Sequence, residues 1–236
     1  MHQDERSQEA LTLLLEGDAE IQGRMPWSSN GTFLAKLTAG EDAMLGVYKP
    51  GRGERPLWDF PRGLYRREAA AWVLSELLGW GLVPETVVRD GPLGEGSMQR
   101  FVEADFEQHY FTLYEDEGHH PALKQFAVFD LLANNTDRKS GHVLLGHDGR
   151  LWGIDQGLCF HPDPKIRTVI WEFGGEKVPA ELLDDVAEAL PKLELLHPML
   201  DEEEIGAVRS RGERLLKVRT FPLADPMGRC YPWPMV

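Results

Sequence analysis

The stretch that most constrains this chain runs from Asn134 to Gly157. Two short apolar runs, Val143 to Gly146 and Leu151 to Ile154, flank His147-Asp148-Gly149-Arg150. An Asp-Gly pair between apolar runs marks a β-hairpin turn. A hairpin returns its second strand beside its first. Asp137, just before the first run, and Asp155, just after the second, are therefore expected to meet in space. Two carboxylates at one end of a hairpin repel each other unless a cation lies nearby. One carboxylate on a metal ion and one facing an attacking hydroxyl is the arrangement that metal-assisted phosphoryl transfer needs. Taken alone, Asn134-Asn135-Thr136-Asp137-Arg138 reads as an exposed turn, since these residue types hydrogen-bond locally. The hairpin and the second aspartate are what argue for a site.

In the kinase pattern Asp-x-x-x-x-Asn, the Asp is catalytic and the Asn binds metal. A second metal-binding Asp stands further on, in an Asp-x-Gly. At the Asn place after Asp137 stands His142, and Asp155-Gln156-Gly157 supplies the Asp-x-Gly. The spacing fits and one residue type differs.

A chain of 236 residues makes one large domain or two small lobes around a cleft. Its 42% hydrophobic content is enough for a substantial core. A net charge of −14 argues against binding a nucleic-acid backbone. No apolar run approaches the roughly 18 residues of a membrane span. The beginning, Met1-His2-Gln3-Asp4-Glu5-Arg6, lacks an apolar secretory core. Cys159 and Cys230 have no Cys-x-x-Cys spacing and are expected to be free thiols in a reducing cytoplasm.

Along the chain, residues 1–8 are polar and expected to fray, and Glu9 to Glu16 reads as a short helix closed by Gly17. Trp27 to Thr32, with its serines and Gly31, leads into an apolar strand. Such a loop can lay N–H groups on phosphates, and it is equally an ordinary turn. Ala43 to Tyr48 is the return strand, with Lys49 at its end. Residues 51–63 form a Pro-, Gly- and Arg-rich connector holding Arg52, Arg55, Arg62, Trp58 and Phe60. A helix follows from Tyr65 to Leu78, stopped by Gly79, and its first turns carry Glu68. A helix carboxylate reaching a strand lysine is the ion pair that holds a kinase lysine on its phosphates. Val83 to Asp90 and Ser97 to Val102 pair as strands. The exit from Gln99 to Glu103 either reads an adenine edge with its backbone or is a plain linker. The acidic, His-rich stretch from Glu103 to His120 lacks zinc-type spacing and reads as a solvated loop. A helix from Pro121 to Asn134, buried along Leu123, Phe126, Ala127 and Leu131, delivers the chain to Asp137. Leu158 to Arg167, with Lys165 and Arg167, is a loop. Helices near 179–197 and 201–218 and a Pro-rich tail complete the scaffold.

Lys49, the Glu68 of Arg-Glu-Ala-Ala, Asn135-Thr136-Asp137-Arg138 and Asp155-Gln156-Gly157 together resemble the phosphatidylinositol 3- and 4-kinase-like superfamily. Type II phosphatidylinositol 4-kinases and bacterial toxin-type serine kinases share the Asn-x-Asp-Arg loop. A group of actinobacterial phosphatidylinositol-kinase-like proteins also reads Asp-Arg-Lys-x-Gly-His, as Asp137 to His142 does. The resemblance covers about residues 28–175. It implies an α+β, two-lobed protein-kinase-like fold. A small β-rich N-lobe would span residues 1–103, and a mainly helical C-lobe with a catalytic hairpin residues 104–236.

The resemblance further implies ATP in the cleft. Carried over by position, Lys49 contacts the phosphates, Glu68 orients Lys49, Asp137 is the catalytic base, and Arg138 steadies its loop. Asp155 and His142 bind the metal. Apart from the family positions, Gly31 and Thr32 are candidate phosphate contacts and Gln99 and Val102 candidate adenine contacts. Magnesium prefers oxygen ligands and imidazole suits softer ions, so both Mg²⁺ and Mn²⁺ are candidates. The expected activity moves the terminal phosphate of ATP to a hydroxyl of a protein, small molecule or lipid headgroup. The alternative is a nucleotide-binding pseudokinase with a regulatory role. Only two basic residues follow Asp155 in its loop and the net charge is negative, which favours a protein or small-molecule acceptor over a lipid.

Overall fold

The computed structural model describes residues 2–25 and 30–235, the side chains of residues 2–6 excepted. Trp27, Ser28 and Ser29, part of the expected phosphate loop, lie outside the described residues.

The chain begins with helix α1 (His2–Glu16), so the start expected to fray is helical. Gly17 closes it, donating its N–H to Leu13 O at 3.0 Å. Five strands follow: β1 (Asp18–Arg24), β2 (Phe33–Ala39), β3 (Asp42–Pro50), β4 (Thr86–Gly91) and β5 (Gly94–Arg100). They form an antiparallel sheet in the order β1-β2-β3-β5-β4. The sequence reading missed β1, an edge strand in which Ala19 and Ile21 alternate with Asp18, Glu20 and Gln22 and pack on the core. Successive strand side chains face opposite ways. Tyr48 therefore enters the core with Leu14, Ala35, Leu37 and Met98, on the side that α1 covers. Its neighbours Val47 and Lys49 face the other way, opposite Gln99 and Ser97 of β5.

The connector leads into helix α2 (Leu64–Leu77), and Gly79 (φ 71°) ends it in the left-handed region. After β5 the chain enters a helical region. The segment expected to be a loop contains a short strand, β6 (Ala104–Asp105), and a short helix, α3 (Tyr110–Tyr114). Tertiary contact decides this helix, because Tyr110 is buried and its hydroxyl bonds Glu172. Helix α4 (His120–Ala133) has Pro121 in its first turn and ends at Asn134 (φ 49°). Leu123, Phe126, Ala127, Val128, Phe129 and Leu132 are buried, whereas Leu131, expected in the stripe, is only half-buried.

Strands β7 (Val143–Gly146) and β8 (Leu151–Gly153) form the expected hairpin and extend β6 into a second sheet. Helix α5 (Ala180–Ala189) runs into a 3₁₀ stretch, and α6 (Glu202–Val218) follows. Asp201 and Glu204 cap α6 reciprocally, each side chain accepting the other's N–H at 2.9 and 3.1 Å. The main core joins α2, α4, α5 and α6 with the hairpin. The architecture is thus α+β, an antiparallel-sheet lobe packed on a helical C-terminal region. No helix among the described residues is long and apolar enough to cross a membrane.

Candidate active site

A cleft of about 80 Å³ is lined by Gly31, Thr32, Lys49, Glu68, Asp137 and Asp155, drawn from segments far apart in sequence. Lys49 lies at its centre. Its Nζ pairs with Glu68 Oε1 from α2 and lies 2.7 Å from Asp155 Oδ1. Burial pulls the Lys49 pKa down, but the Asp155 and Glu68 carboxylates outweigh it and leave the ammonium firmly protonated. Conversely, the Lys49 charge, against the effect of burial and with help from His142, holds the Asp155 carboxyl well below the usual range.

Asp155 has a φ of 62°, a conformation that costs a non-glycine residue about 1 kcal/mol or more. Its neighbours hold it there. Gln156 donates its N–H to Glu68 Oε2 at 2.9 Å, so the carboxylate that pairs Lys49 also fixes the backbone beside Asp155. Gly157 makes that possible, because a Cβ there would stand 3.2 Å from Glu68 Oε1. The glycine of the Asp-x-Gly is therefore a matter of space for a carboxylate.

Asp137 faces the same cleft. Burial raises its carboxyl pKa, Lys139 at 3.2 Å opposes this, and Asp155 adds to it. The two aspartates do share one field, as the hairpin requires. Asn135 Oδ1 accepts the Asp137 N–H at 3.0 Å and holds the turn.

Arg138 does not reach the cleft. It is fully buried and binds Asp130 through Nε (3.1 Å) and Nη2 (2.9 Å), with Nη1 donating to the carbonyls of His142 (3.3 Å) and Ile154 (3.2 Å). It thereby clamps both ends of the hairpin to α4, which is the steadying part of its expected role. Asp130 also accepts Asn135 Nδ2 (3.1 Å) and Thr168 Oγ1 (2.9 Å). This hub was overlooked in the sequence, although a lone carboxylate inside the apolar run Phe126 to Ala133 was a usable signal. Asn134 was also more than a turn residue: its Nδ2 bonds the carbonyls of His161 and Asp163, both at 2.7 Å, and shapes the loop after Asp155. The proline-rich tail reaches back here, Met235 O accepting the Ser140 N–H at 2.8 Å.

His142 Nε2 stands 3.4 Å from Asp155 Oδ2. Burial lowers its pKa to about 4, so the ring is neutral. The Lys139 N–H points at Nδ1 from 3.4 Å, which favours the proton on Nε2, toward Asp155. Among the described residues no three His, Cys, Asp or Glu side chains assemble into a self-sufficient metal site.

Three nucleotide-contact expectations need adjustment. The Gly31 N–H donates to Gly53 O (3.0 Å) and the Thr32 N–H to Asn30 O (2.9 Å), so neither is open to a phosphate although both residues line the cleft. Gln99 is buried and its amide nitrogen already donates to Thr86 Oγ1 (2.8 Å). Val102 packs its side chain on Leu144 and Trp152. Among the described residues its backbone N–H and carbonyl make no hydrogen bond, and it borders a separate cavity of about 380 Å³ with Leu45, Phe101 and Glu103.

No family model matches the chain. Protein Rv2133c of Mycobacterium tuberculosis (strain ATCC 25618 / H37Rv) is 38% identical over an alignment of 262 positions, gaps included, that covers 94% of each chain. The chain belongs to the Rv2133c family. Solved structures extend the likeness at the level of fold. The Golgi casein kinase with Mn/ADP bound superposes with a TM-score of 0.57 at 14% identity, over 99% of this chain and 81% of that one. Hydra Fam20 with sugar gives 0.54 at 13%, over 91% and 88%. The Helicobacter pylori proinflammatory kinase CtkA gives 0.52 at 13%, over 88% and 94%. At such identities these matches establish a protein-kinase-like fold for this member of the Rv2133c family.

Proposed function

We propose that the chain is an ATP-dependent phosphotransferase that moves the terminal phosphate of ATP to a hydroxyl group. The cleft between the segments 1–103 and 104–236 is its active site. One observation carries this reading: Lys49, Glu68, Asp137 and Asp155 converge on one cleft, with the lysine paired to both Glu68 and Asp155. The kinase-fold structures, among them the Golgi casein kinase with Mn/ADP bound, support it. The Asn-x-Asp-Arg loop argues for wider kinship with the phosphatidylinositol 3- and 4-kinase-like proteins.

In this proposal Lys49 holds the nucleotide phosphates and Glu68 fixes the lysine. Asp137 receives the acceptor's proton, a task suited to a carboxyl whose pKa is raised. Arg138 positions Asp137 without touching the reactants. The open N–H and carbonyl of Val102 are offered to the adenine edge. Asp155, with His142 beside it, would hold the divalent metal, Mg²⁺ or Mn²⁺, whose charge would neutralise the phosphates. Two protein ligands suffice, because Mg²⁺ in phosphoryl-transfer sites takes its remaining ligands from phosphates and water. Ligation at His142 Nε2 requires the ring proton on Nδ1, where it meets the Lys139 N–H.

That conflict favours one second reading, a pseudokinase that binds nucleotide without turnover. The deciding experiment measures ADP release from ATP with Mg²⁺ or Mn²⁺, in the wild type and in Asp137→Ala and Asp155→Ala. Metal-dependent turnover lost in both variants supports the enzyme. Thermal stabilisation by ATP with no turnover supports the pseudokinase, and neither effect sinks both.

A further inference from the structure

The connector between β3 and α2, residues 51–63, has no part in the chemistry above, yet it is firmly placed. Gly53 lies against Gly31 so closely that a Cβ there would be 3.0 Å from the Gly31 Cα. The Arg55 N–H donates to Asn30 Oδ1 at 3.1 Å. Asp59 pairs with Lys165 at 3.5 Å, and Phe60 meets the His161 ring edge-on at 5.2 Å. The connector therefore spans from the Gly31 loop to the loop that follows Asp155.

A cavity of about 290 Å³ opens in this strap, with Arg52, Arg55 and Arg62 in its wall. Among the described residues, none of these three guanidinium groups has a carboxylate partner. Their neighbours do: Arg66 takes Glu95 at 3.0 Å, and Arg67 pairs with Glu204. Glu54, the one acidic residue of the wall, is committed to the N–H groups of Gly63 (2.9 Å) and Tyr65 (2.8 Å). In a chain with 39 acidic residues, three unpaired arginines around one cavity reverse the local field. The planar guanidinium fork matches the oxygens of phosphate better than any other side chain does. The cavity shares Glu54 and Leu64 with the cleft that holds Lys49, Asp137 and Asp155.

We infer that this cavity is an oxyanion site that grips a phosphate group already carried by the acceptor. The anion site stands on the arginines alone; its use by an acceptor rests on the phosphotransferase reading. With that phosphate anchored, the acceptor's hydroxyl reaches Asp137. Its oxygen bonds the terminal phosphorus of ATP as the bond to the bridging oxygen breaks, ADP leaves, and the hydroxyl proton passes to Asp137. A soluble phosphomonoester and a lipid headgroup present the same chemistry to the arginines.

The test titrates inorganic phosphate into the full chain at low salt by calorimetry, without ATP. Saturable binding is expected, weakened roughly tenfold or more in R52Q/R55Q/R62Q and retained in Lys49→Met and with a non-hydrolysable ATP analogue bound. Two further arms identify the source. Binding of glycerol 3-phosphate in solution supports a soluble acceptor. Retention on phosphatidylcholine vesicles doped with phosphatidic acid, and not on undoped ones, supports a headgroup. Unchanged phosphate affinity in the triple variant overturns the proposal. So does loss of binding when the ATP analogue is bound, which would give the arginines to the nucleotide. A Glu-rich peptide that binds where phosphate does not also overturns it, in favour of an acidic protein. A chain that binds phosphate but never turns over ATP sinks the phosphotransferase reading and leaves the anion site standing.

Discussion

Arg67, the residue before Glu68, offers the sharpest test of how α2 is held. Its Nε donates to Cys159 O at 3.1 Å, and its Nη2 pairs with Glu204 of α6. The two side chains are only 4% and 8% exposed, so solvent screens the pair very little. Arg67→Met leaves the Glu204 carboxylate buried without its cation. Breaking such a pair costs about 3–5 kcal/mol. The lower end applies here, because Glu204 keeps the Asp201 N–H at 3.1 Å. At this chain length each kcal/mol moves Tm by about 2–4 °C, so a fall of roughly 6–12 °C is expected. The double variant R67M/E204Q removes the stranded charge while an amide oxygen still accepts the Asp201 N–H. It should recover about half of that loss, roughly 1.5 kcal/mol. Thermal unfolding followed by circular dichroism reads both values. If Arg67→Met shifts Tm by less than about 3 °C, or the double variant is as unstable as the two singles summed, the pair does not anchor α2.

Other expectations follow from the same geometry. Asp137→Asn removes a carboxylate that burial disfavours, so it should hold or raise Tm while turnover falls by about 10²–10⁴-fold; a variant that keeps full turnover would show that Asp137 is not the base. In the wild type, turnover should rise with pH through an Asp137 pKa raised above its ordinary value by burial, and a rate flat across the acid range would count against the role. Gly157→Ala puts a methyl group against Glu68 Oε1 and should loosen the Lys49 pair, seen as weaker ATP-analogue binding in a chain whose circular dichroism is unchanged. His142 titrates near 4 in the folded chain and at the ordinary 6.5 when unfolded, so only the unfolded form binds its proton between those values. In EDTA, stability should therefore fall as pH drops through that window, and His142→Asn should flatten the slope in urea unfolding.

Much of the site was legible because it is written locally. The Asp-Gly turn set the hairpin register, so Asp137 and Asp155 could be brought together from sequence alone. For Lys49 and Glu68 it was the kinase-type pattern of a strand lysine followed by a helix glutamate, rather than periodicity, that suggested the pair. What escaped was set by distant contacts. Edge strand β1 alternates only two apolar residues, Ala19 and Ile21, with polar ones, and α3 is tied down where Tyr110 meets Glu172, 62 positions away. Arg138 was expected to steady its loop, but its partner Asp130, hidden in an apolar helix, was not foreseen. Gly31 looked like a phosphate cradle because nothing in the sequence reveals that Gly53 O takes its N–H. The connector arginines read as a loop, since their shared cavity exists only once the strap is pinned at both ends.

These contacts also bear on control. Lys49 is paired with Glu68 and Asp155, and Glu68 also holds the Gln156 N–H, so β3, α2 and the segment after β8 share one charge network. Swinging α2 outward would forfeit the Arg67–Glu204 pair and the Glu68–Gln156 bond together. Control by helix displacement is therefore a poor fit to this chain. Under the proposed reading, the elements left to discriminate are those that border the cleft: the connector, the loop after Asp155, and the tail whose Met235 carbonyl holds the Ser140 N–H near Asp137.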